Sequence, residues 1–399
     1  MLAHPKVRRL EPVQLPPAEG RESPTFLLRD PAQLSSEQIV LTLPALTLVE
    51  LADGSRDLSE IKVQMTEMTG LTVSEEQITS LFAELDSHYL LENERARERL
   101  SQISPRPMRH SGGGYPTNPT ELETFLDDLL SVDDIAVKES APRASILPHI
   151  DFFRGHQAYR QGYRHLHSLA SADTETLTVV ILGISHAYSQ TPFILTKKDF
   201  STPLGVVRTD QDLVDKLATG LPFDPYQDEY NHMAEHSIEF HAVLLKRLVG
   251  DRSLRIVPVL CSSFYRAIRE KHSPLELNGV DQFLGNLKKL RDEDPNLHFL
   301  ASVDLAHMGL NFGGERLTPT FLADLERRDL ASIDGIQRGK ADDFFATHQA
   351  DLGERNYCGT PAIYTLLKLF PQAFELHGYQ QCTDPDLGST VTICSATLS

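Results

Sequence analysis

The feature that most constrains this fold is an alternation that begins near residue 143. Short apolar runs rich in β-branched residues are separated there by longer stretches with helical spacing of apolar side chains. Strands that alternate with helices are typical of a mainly parallel sheet. We therefore predict a doubly wound α/β domain over residues 143–399, with helices on both faces of the sheet. The predicted strands are 144–147, 177–182, 255–260, 297–303 and 390–396, and the predicted helices are 156–170, 210–219, 235–249, 279–292 and 320–337.

The first hundred residues divide by composition into two predicted segments. Residues 1–23 are polar and rich in proline, which indicates a tail. Residues 24–99 contain Ser59 and Ser74, each directly before acidic residues, as helix starts often are. Apolar side chains recur at helical spacing over 78–85. A small, mainly helical domain is therefore predicted for residues 24–99.

Residues 100–142 are predicted to be a linker and a lead-in helix. The stretch 101–120 is dense in Pro, Gly, Ser and Asn, a composition that favours an exposed chain over a packed core. His110 lies in this stretch and is expected to be solvated.

Charge and cysteine usage exclude several classes of protein. The formal net charge is −18, with no basic run, so nucleic-acid binding is not expected. The apolar runs are too short to span a membrane. The 4 cysteines show no C-x-x-C spacing, which is typical of reduced thiols in a cytoplasmic protein.

Polar side chains follow three of the predicted strands. Because ligands bind beyond the carboxyl ends of parallel strands, these side chains are expected to meet in one crevice. Imidazole and carboxylate are the ligands of mononuclear iron and zinc sites, so His149 and His186 are the best candidate ligands, completed by Asp304 or His307. A structural role for Asp304 is the alternative. The three stretches are Pro148-His149-Ile150-Asp151, Gly183-Ile184-Ser185-His186 and Asp304-Leu305-Ala306-His307.

The stretch NHMAEHSIEFH, residues 231–241, permits two interpretations. His232, Glu235 and His236 match H-x-x-E-H, a zinc-peptidase pattern that places two imidazoles one helical turn apart. With only three fixed positions, the pattern is of low specificity.

The alternative interpretation is proton transfer. On a regular helix Glu239 shares a face with both Glu235 and His236, and paired acid and imidazole suit general acid–base chemistry. His241 would lie about 140° round from His236, so both could not point at one metal from a regular helix.

Taken together, these stretches resemble the Memo-like family, whose bacterial members are called AmmeMemoRadiSam system protein B. The resemblance spans residues 143–398, and it implies a fold related to the class III extradiol dioxygenases, non-haem Fe(II) enzymes that open catechol rings. It also implies a pocket lined by His149, His186, His241 and the 304–307 loop. The matching elements are His149, GISH ending at His186, T-P-L-G at 202–205, E-H-S-I-E at 235–239 and S-V-D-L-A-H at 302–307.

From the residues and the resemblance together we assign three groups of site residues. The expected cofactor is Fe(II), with zinc, copper or no metal at all as alternatives. The metal ligands are His149, His186, His241 and Asp304; the catalytic residues are Glu235, His236 and His307; and the substrate-binding residues are Asp151, Ser185 and Cys358.

Two positions bear on whether a metal is held. Ala306 occupies the position at which animal members are taken to place a metal-liganding cysteine, so a third ligand is expected from Asp304, His307, His241, Asp151 or the substrate. Cys358 precedes Gly359 and a predicted helix, and the family has a Cys-Gly pair here, in a loop that would close the pocket. A small packed residue is favoured over a reactive thiol for Cys358.

Three functions remain open, and whether the chain is an enzyme stays undecided. The first is a metal-dependent oxidoreductase. The second is a non-catalytic protein that binds a peptide or partner, because Ala306 cannot coordinate a metal and residues 24–99 resemble the winged-helix-like, peptide-binding PqqD-like domains. The zinc peptidase ranks third. The expected partners are a small molecule or peptide in the pocket and, from the family name, a radical-SAM protein and an AMMECR-type protein.

Overall fold

The structure, a computed structural model, divides into two compact units, Met1–Ser104 and Pro105–Ser399. Parts of the predicted tail and of the predicted lead-in helix, residues 132–140 included, lie outside the described residues. The boundary between the units falls inside the predicted linker. The structure describes residues 3–16, 23–131, 141–171 and 175–398.

The first unit combines a small antiparallel sheet with helices around one apolar core. The sheet has the strand order β1-β2-β3. Buried Ile78, Phe82 and Leu85 contribute to the core, as their helical spacing indicates. Its elements are β1 (Glu11–Gln14), β2 (Thr25–Arg29), β3 (Ile39–Thr42), α1 (Leu43–Leu51), α2 (Leu58–Thr69), α3 (Glu75–Ser87) and α4 (Glu94–Ser101).

The beginning of the chain differs from the predicted tail. Residues 11–14 form β1, in which Glu11 pairs with Arg29 of β2. Just before β1, the buried Arg8 side chain forms an ion pair of 2.7 Å with Asp30. Composition misled the prediction because the polar side chains find partners within the unit.

The second unit is built on one large sheet. Helices cover it, and short 3-10 helices lie at Arg164–Leu166, Pro274–Glu276 and Leu310–Phe312. Its elements are α5 (Pro119–Leu129), β4 (Ala144–Leu147), α6 (Phe152–Tyr163), α7 (His167–Ser171), β5 (Thr176–Ile184), β6 (Phe193–Leu195), β7 (Phe200–Thr202), β8 (Gly205–Thr209), α8 (Gln211–Ala218), α9 (Asn231–Ala234), α10 (Glu239–Val249), β9 (Ser253–Cys261), α11 (Tyr265–Glu270), α12 (Val280–Glu293), β10 (His298–Ser302), β11 (His307–Gly309), α13 (Pro319–Gln337), α14 (Ala341–Ala350), α15 (Thr360–Leu369), β12 (Glu375–Asp384) and β13 (Ser389–Leu398).

The centre of this sheet is parallel and its margins are antiparallel. The strand order is β11-β13-β4-β10-β5-β9-β8-β7, and the run from β4 to β8 is parallel throughout. Along β5, Val180 and Leu182 point into one apolar core, whereas Val179 and Ile181 point into another. The sheet is therefore covered on both faces, and the predicted α/β fold class is confirmed.

The segment 101–120 differs from the predicted exposed linker. Arg106 and Tyr115 are fully buried, and Arg106 shares an isolated bridge with Phe200 of β7. Pro and Gly here shape a chain that packs through specific polar contacts, which composition does not reveal.

Across the described part of the chain, no helix combines the length and apolar character needed to cross a membrane.

Candidate functional site

Three loops meet at the carboxyl ends of neighbouring parallel strands. Leu147 at the end of β4 pairs with Ser302 at the end of β10, and Ala301 of β10 pairs with Leu182 of β5. The loops that leave these strands carry His149, Asp304 and His186. The pairing of the strands thus places side chains from distant parts of the sequence beside one another.

His149 is buried and held from two sides. Its Nδ1 lies 2.9 Å from the carbonyl of Ser302, so Nδ1 carries the hydrogen and Nε2 is left as an acceptor or ligand. Its backbone N–H donates to Asp304 at 2.9 Å. Burial lowers the pKa of His149 well below its usual value, and His236 and His186 lower it further. The ring is therefore a neutral imidazole, the form that binds metals.

His186 is oriented by the carboxylate of Glu235. Both carboxylate oxygens lie 3.1 Å from Nδ1 of His186, which again leaves Nε2 available. Although burial opposes it, Glu235 raises the pKa of His186 well above its usual value, so a metal that binds Nε2 would have to displace its proton. A carboxylate on the far nitrogen of a ligand imidazole is a recurrent arrangement in metal sites, because it fixes the ring and increases its basicity.

Cys358 brings a thiol to the two imidazoles. Its Sγ lies 3.5 Å from Nε2 of His149, and the Sγ and one nitrogen of each ring all lie within 4.8 Å of one another. Burial raises the pKa of the Cys358 thiol, while His186 lowers it. Gly359 allows the close approach, since a Cβ there would lie 2.6 Å from the carbonyl oxygen of Asp304. Two nitrogens and one sulfur form a donor set that suits a transition metal.

His236 forms a third imidazole beside this donor set. Its ring stacks on His186 with the centroids 4.8 Å apart, and it lies 5.0 Å from the His149 ring. Its Nδ1 is 3.1 Å from Glu235, so one carboxylate holds two rings. His186, Glu235 and His236 also satisfy metal-ligand distances, but these contacts are hydrogen bonds that use both Nδ1 atoms. We therefore interpret this trio as positioning the rings.

The stretch 235–239 is a break between helices, and the predicted helix over 235–249 is wrong at its start. α9 ends at Ala234, and Glu235 has extended backbone with φ −78° and ψ 136°. The Glu235 carboxylate accepts from the backbone N–H groups of His236 and Ser237. The Ser237 hydroxyl both donates to and accepts from the backbone of Ile184 at the end of β5. These contacts fix Glu235 and His236 at the edge of the sheet.

The break also removes the zinc-peptidase arrangement. His232 and His236 are not on one continuous helix, and Nε2 of the buried His232 lies 3.1 Å from the carbonyl of Ile194. Burial lowers the pKa of His232 to about 3.

Two of the predicted metal ligands, His241 and Asp304, accept or donate hydrogen bonds within the site. His241 is fully buried, and its Nδ1 and Nε2 lie 2.7 Å from Tyr163 and 3.1 Å from the carbonyl of Pro148, so neither nitrogen is available. Asp304 accepts through Oδ1 from the N–H groups of His149 and Ile150, whereas its Oδ2 lies 3.8 Å from Nε2 of His149, so its role as a ligand stays a prediction. Burial raises its pKa to about 6. In the part of the chain that is described, neither residue belongs to a group of mutually close metal donors.

The predicted substrate-binding residues Asp151 and Ser185 both make hydrogen bonds within the protein. Asp151 caps α6 by accepting from the backbone of Arg154 and pairs with the Arg154 side chain. The Ser185 hydroxyl donates to the carbonyl of Ala187 and accepts from Asn231.

His307, predicted to be catalytic, lies at the side of the site. Its Nδ1 is 3.2 Å from the carbonyls of Leu305 and Asn356, and its ring packs edge-on against Phe312. Burial and the nearby His186 lower its pKa to about 4. Together with Glu354 and other residues it lines a cavity of about 360 Å³.

Sequence reasoning missed two contributions to the site. The first is the thiol of Cys358 as a neighbour of His149; its only sequence signal is the Cys-Gly pair before a helix. The second is the packing of residues 106–115 against the break, which the Pro- and Gly-rich composition conceals.

Comparison with known proteins gives one consistent result. The model of the Memo-like protein family matches residues 106–396. A MEMO1 family protein of Aquifex aeolicus is 29% identical over 295 residues, covering 72% of this chain and 73% of the relative. A MEMO1 family protein of Thermus thermophilus is 26% identical, covering 71% and 82%. The protein memo-1 homolog of Caenorhabditis elegans is 24% identical, covering 63% and 68%.

Proposed function

Because the chain belongs to the Memo-like protein family, we propose that its second unit binds a transition-metal ion through His149, His186 and Cys358 and oxidises a small molecule, with dioxygen as the oxidant that the resemblance to extradiol dioxygenases implies. The observation that supports this most is the convergence of two imidazoles and a thiol, from three separate loops, within 4.8 Å of one another. In this proposal the thiol of Cys358 would supply the third donor that Ala306 cannot supply.

The donor set restricts the choice of metal. A thiolate with two imidazoles suits iron, copper and zinc far better than magnesium or calcium. Iron is our first choice, since the resemblance to extradiol dioxygenases implies it. When bound, iron or copper would supply redox chemistry, and zinc would supply electrostatic polarisation of the substrate.

The protein's own residues would orient the ligands and handle protons. Glu235 holds Nδ1 of His186 and so directs Nε2 towards the thiol of Cys358. His236 is the residue best placed to transfer a proton, because Nδ1 is anchored on Glu235 while its side chain stays 30% exposed. The buried ring of His149 excludes water from one wall of the site.

Metal analysis of anaerobically purified protein tests the proposal. We expect wild type to carry iron, zinc or copper, and His149→Ala to lose most of it. His241→Asn is the matched control, because both ring nitrogens of His241 are used in hydrogen bonds, so this variant should keep its metal if it folds. Equal, near-zero metal in wild type and His149→Ala would end the proposal.

The first unit supports a second proposal, the binding of a peptide from a partner protein. It contains a groove of about 850 Å³, lined mainly by polar residues, among them Arg29, Tyr89 and Arg99. The lining also includes Asp30 and Glu37, so a polar peptide segment that carries both signs of charge suits the groove. The radical-SAM and AMMECR-type proteins are the partners to test. Co-purification with the full chain that is unchanged by Tyr89→Ala would count against this groove.

A further inference from the structure

We propose that residues 106–110 form a clasp that fixes the break between α9 and α10 and thereby sets the affinity of the metal centre. The two positioning residues are Arg106, which belongs to the clasp, and Glu239, its partner at the end of the break. This inference rests on the proposed metal centre and concerns residues that do not touch the donor atoms.

Side chains of the clasp hold four consecutive main-chain carbonyls where α9 ends. Carbonyls at a helix C-terminus lack partners within the helix, and here they are satisfied from another part of the chain. The acceptors therefore cannot move without breaking buried hydrogen bonds. The bonds are Arg106 Nε to His232, Arg109 Nε to Met233 at 3.3 Å, His110 Nε2 to Ala234 at 2.9 Å and Arg106 Nη2 to Glu235 at 2.6 Å.

Glu239, at the end of the break, binds the clasp through its carboxylate. The fully buried carboxylate accepts from the backbone N–H groups of Arg109 and His110 and from the hydroxyl of Tyr115. It also forms a buried ion pair with Arg106. Each side thus supplies both side-chain and backbone groups to the other, so the two segments are fixed as one body.

The clasp binds the same residue, Glu235, that orients the proposed metal ligand His186. Arg106 holds the carbonyl of Glu235, and the carboxylate of the same Glu235 holds His186 and His236. If the carbonyl were released, residues 235–238 could rotate towards helical geometry and carry the carboxylate away from His186. Loss of a group that orients a metal-bound histidine typically costs about 10–100-fold in metal affinity.

Cobalt binding to the full chain tests the clasp. Arg106→Lys keeps the charge but loses the planar group that reaches several acceptors at once. We expect its Kd for Co²⁺, measured by absorbance titration of metal-free protein, to rise about tenfold or more. The Co²⁺ absorption spectrum should also change, because the donor geometry changes. Arg252→Lys is the matched control, since Arg252 likewise donates to the carbonyls of Leu169 and Ala170, and it should bind Co²⁺ as wild type does.

If Arg106 only stabilises the fold and does not affect the metal centre, the result should be different. In that case Arg106→Lys lowers the unfolding temperature but leaves the Kd and the spectrum unchanged, which would overturn the proposal. If Arg106→Lys does not fold, Tyr115→Phe decides the matter: it removes one hydrogen bond to Glu239 and should raise the Kd by a smaller factor, whereas an unchanged Kd counts against the clasp. Failure of wild type to bind Co²⁺ removes the metal centre itself and the clasp with it.

Discussion

The three imidazoles of the site share one feature at the level of single atoms. In His149, His186 and His236, Nδ1 lies against an oxygen acceptor, which leaves Nε2 for chemistry. In His241 both nitrogens have partners. Sequence spacing cannot separate these cases, because the partners come from other parts of the chain.

The role of Cys358 gives a residue-scale prediction. Cys358→Ser should lose most of the bound metal, because a neutral hydroxyl is a poor substitute for a thiolate at a soft-metal site. Unfolding temperature in the metal-free state should change little, since serine is nearly the same size. Metal content after anaerobic purification measures the effect.

Cys382→Ser is the control for that substitution. Cys382 is buried, whereas Cys358 is partly buried, and the thiol of Cys382 donates to the carbonyl of Arg154. Equal metal loss in both variants would mean that the thiol of Cys358 has no special part.

At the scale of elements, the break between α9 and α10 is the feature that a linear pattern cannot show. The residues on both sides of E-H-S-I-E have helical patterns, so the local sequence favours one continuous helix through this stretch. The break exists because Ser237 bonds to Ile184 and Glu239 bonds to the clasp, and both contacts are tertiary.

Gly183 of β5 should be indispensable to this break. A Cβ at Gly183 would lie 2.7 Å from the hydroxyl of Ser237 and 2.8 Å from Ile238. Gly183→Ala should therefore lower the free energy of unfolding by about 1–3 kcal/mol, measured by urea denaturation. Gly285→Ala in α12 is the control, because nothing lies within 4 Å of its Cβ, and it should stabilise by about 0.5–1 kcal/mol. Similar changes in the free energy of unfolding for Gly183→Ala and Gly285→Ala would contradict the packing argument.

His298 at the start of β10 should make the fold sensitive to acid. Burial lowers its pKa from 6.5 to about 4, with Nδ1 donating to the carbonyl of Pro142. Because the folded-state pKa is depressed, the unfolded chain takes up the proton first as pH falls, and stability is lost between the two values. His298 alone should contribute about 2 kcal/mol to this loss between about pH 7.5 and about pH 5, and other histidines whose pKa is lowered by burial should add to it.

His298→Asn should show a shallower decline over the same range. Asparagine keeps a donor for Pro142 but does not titrate. Parallel curves for wild type and His298→Asn would show that His298 does not titrate on unfolding.

At the scale of the whole molecule, local pattern predicted the second unit better than the first. The parallel strands and the loops bearing His149, His186 and Asp304 follow from alternation and from polar residues at strand ends. Cys358 lies 209 residues after His149, so no local signal could pair them. The predictions of a tail and of an exposed linker were wrong for a related reason. Residues such as Arg8 and Arg106 form buried contacts with residues distant in sequence, and amino-acid composition does not reveal such contacts.

The division into two units predicts that the metal centre is self-contained. All donors and the clasp lie within residues 105–399, which have their own apolar cores. A fragment of residues 105–399 should therefore bind Co²⁺ with the Kd of the full chain. A Kd weakened tenfold or more, in a fragment shown to be folded by circular dichroism, would contradict this.

The position of β13 has a consequence for how the protein is made. This strand follows the other described elements in sequence, yet it lies inside the sheet, with β12 along one side and β11 and β4 along the other. During translation, one edge of β4 stays unpaired until residues 389–398 have left the ribosome. Removal of residues 389–398 would leave both β12 and β4 without this neighbour, and the unpaired strand edges would invite aggregation.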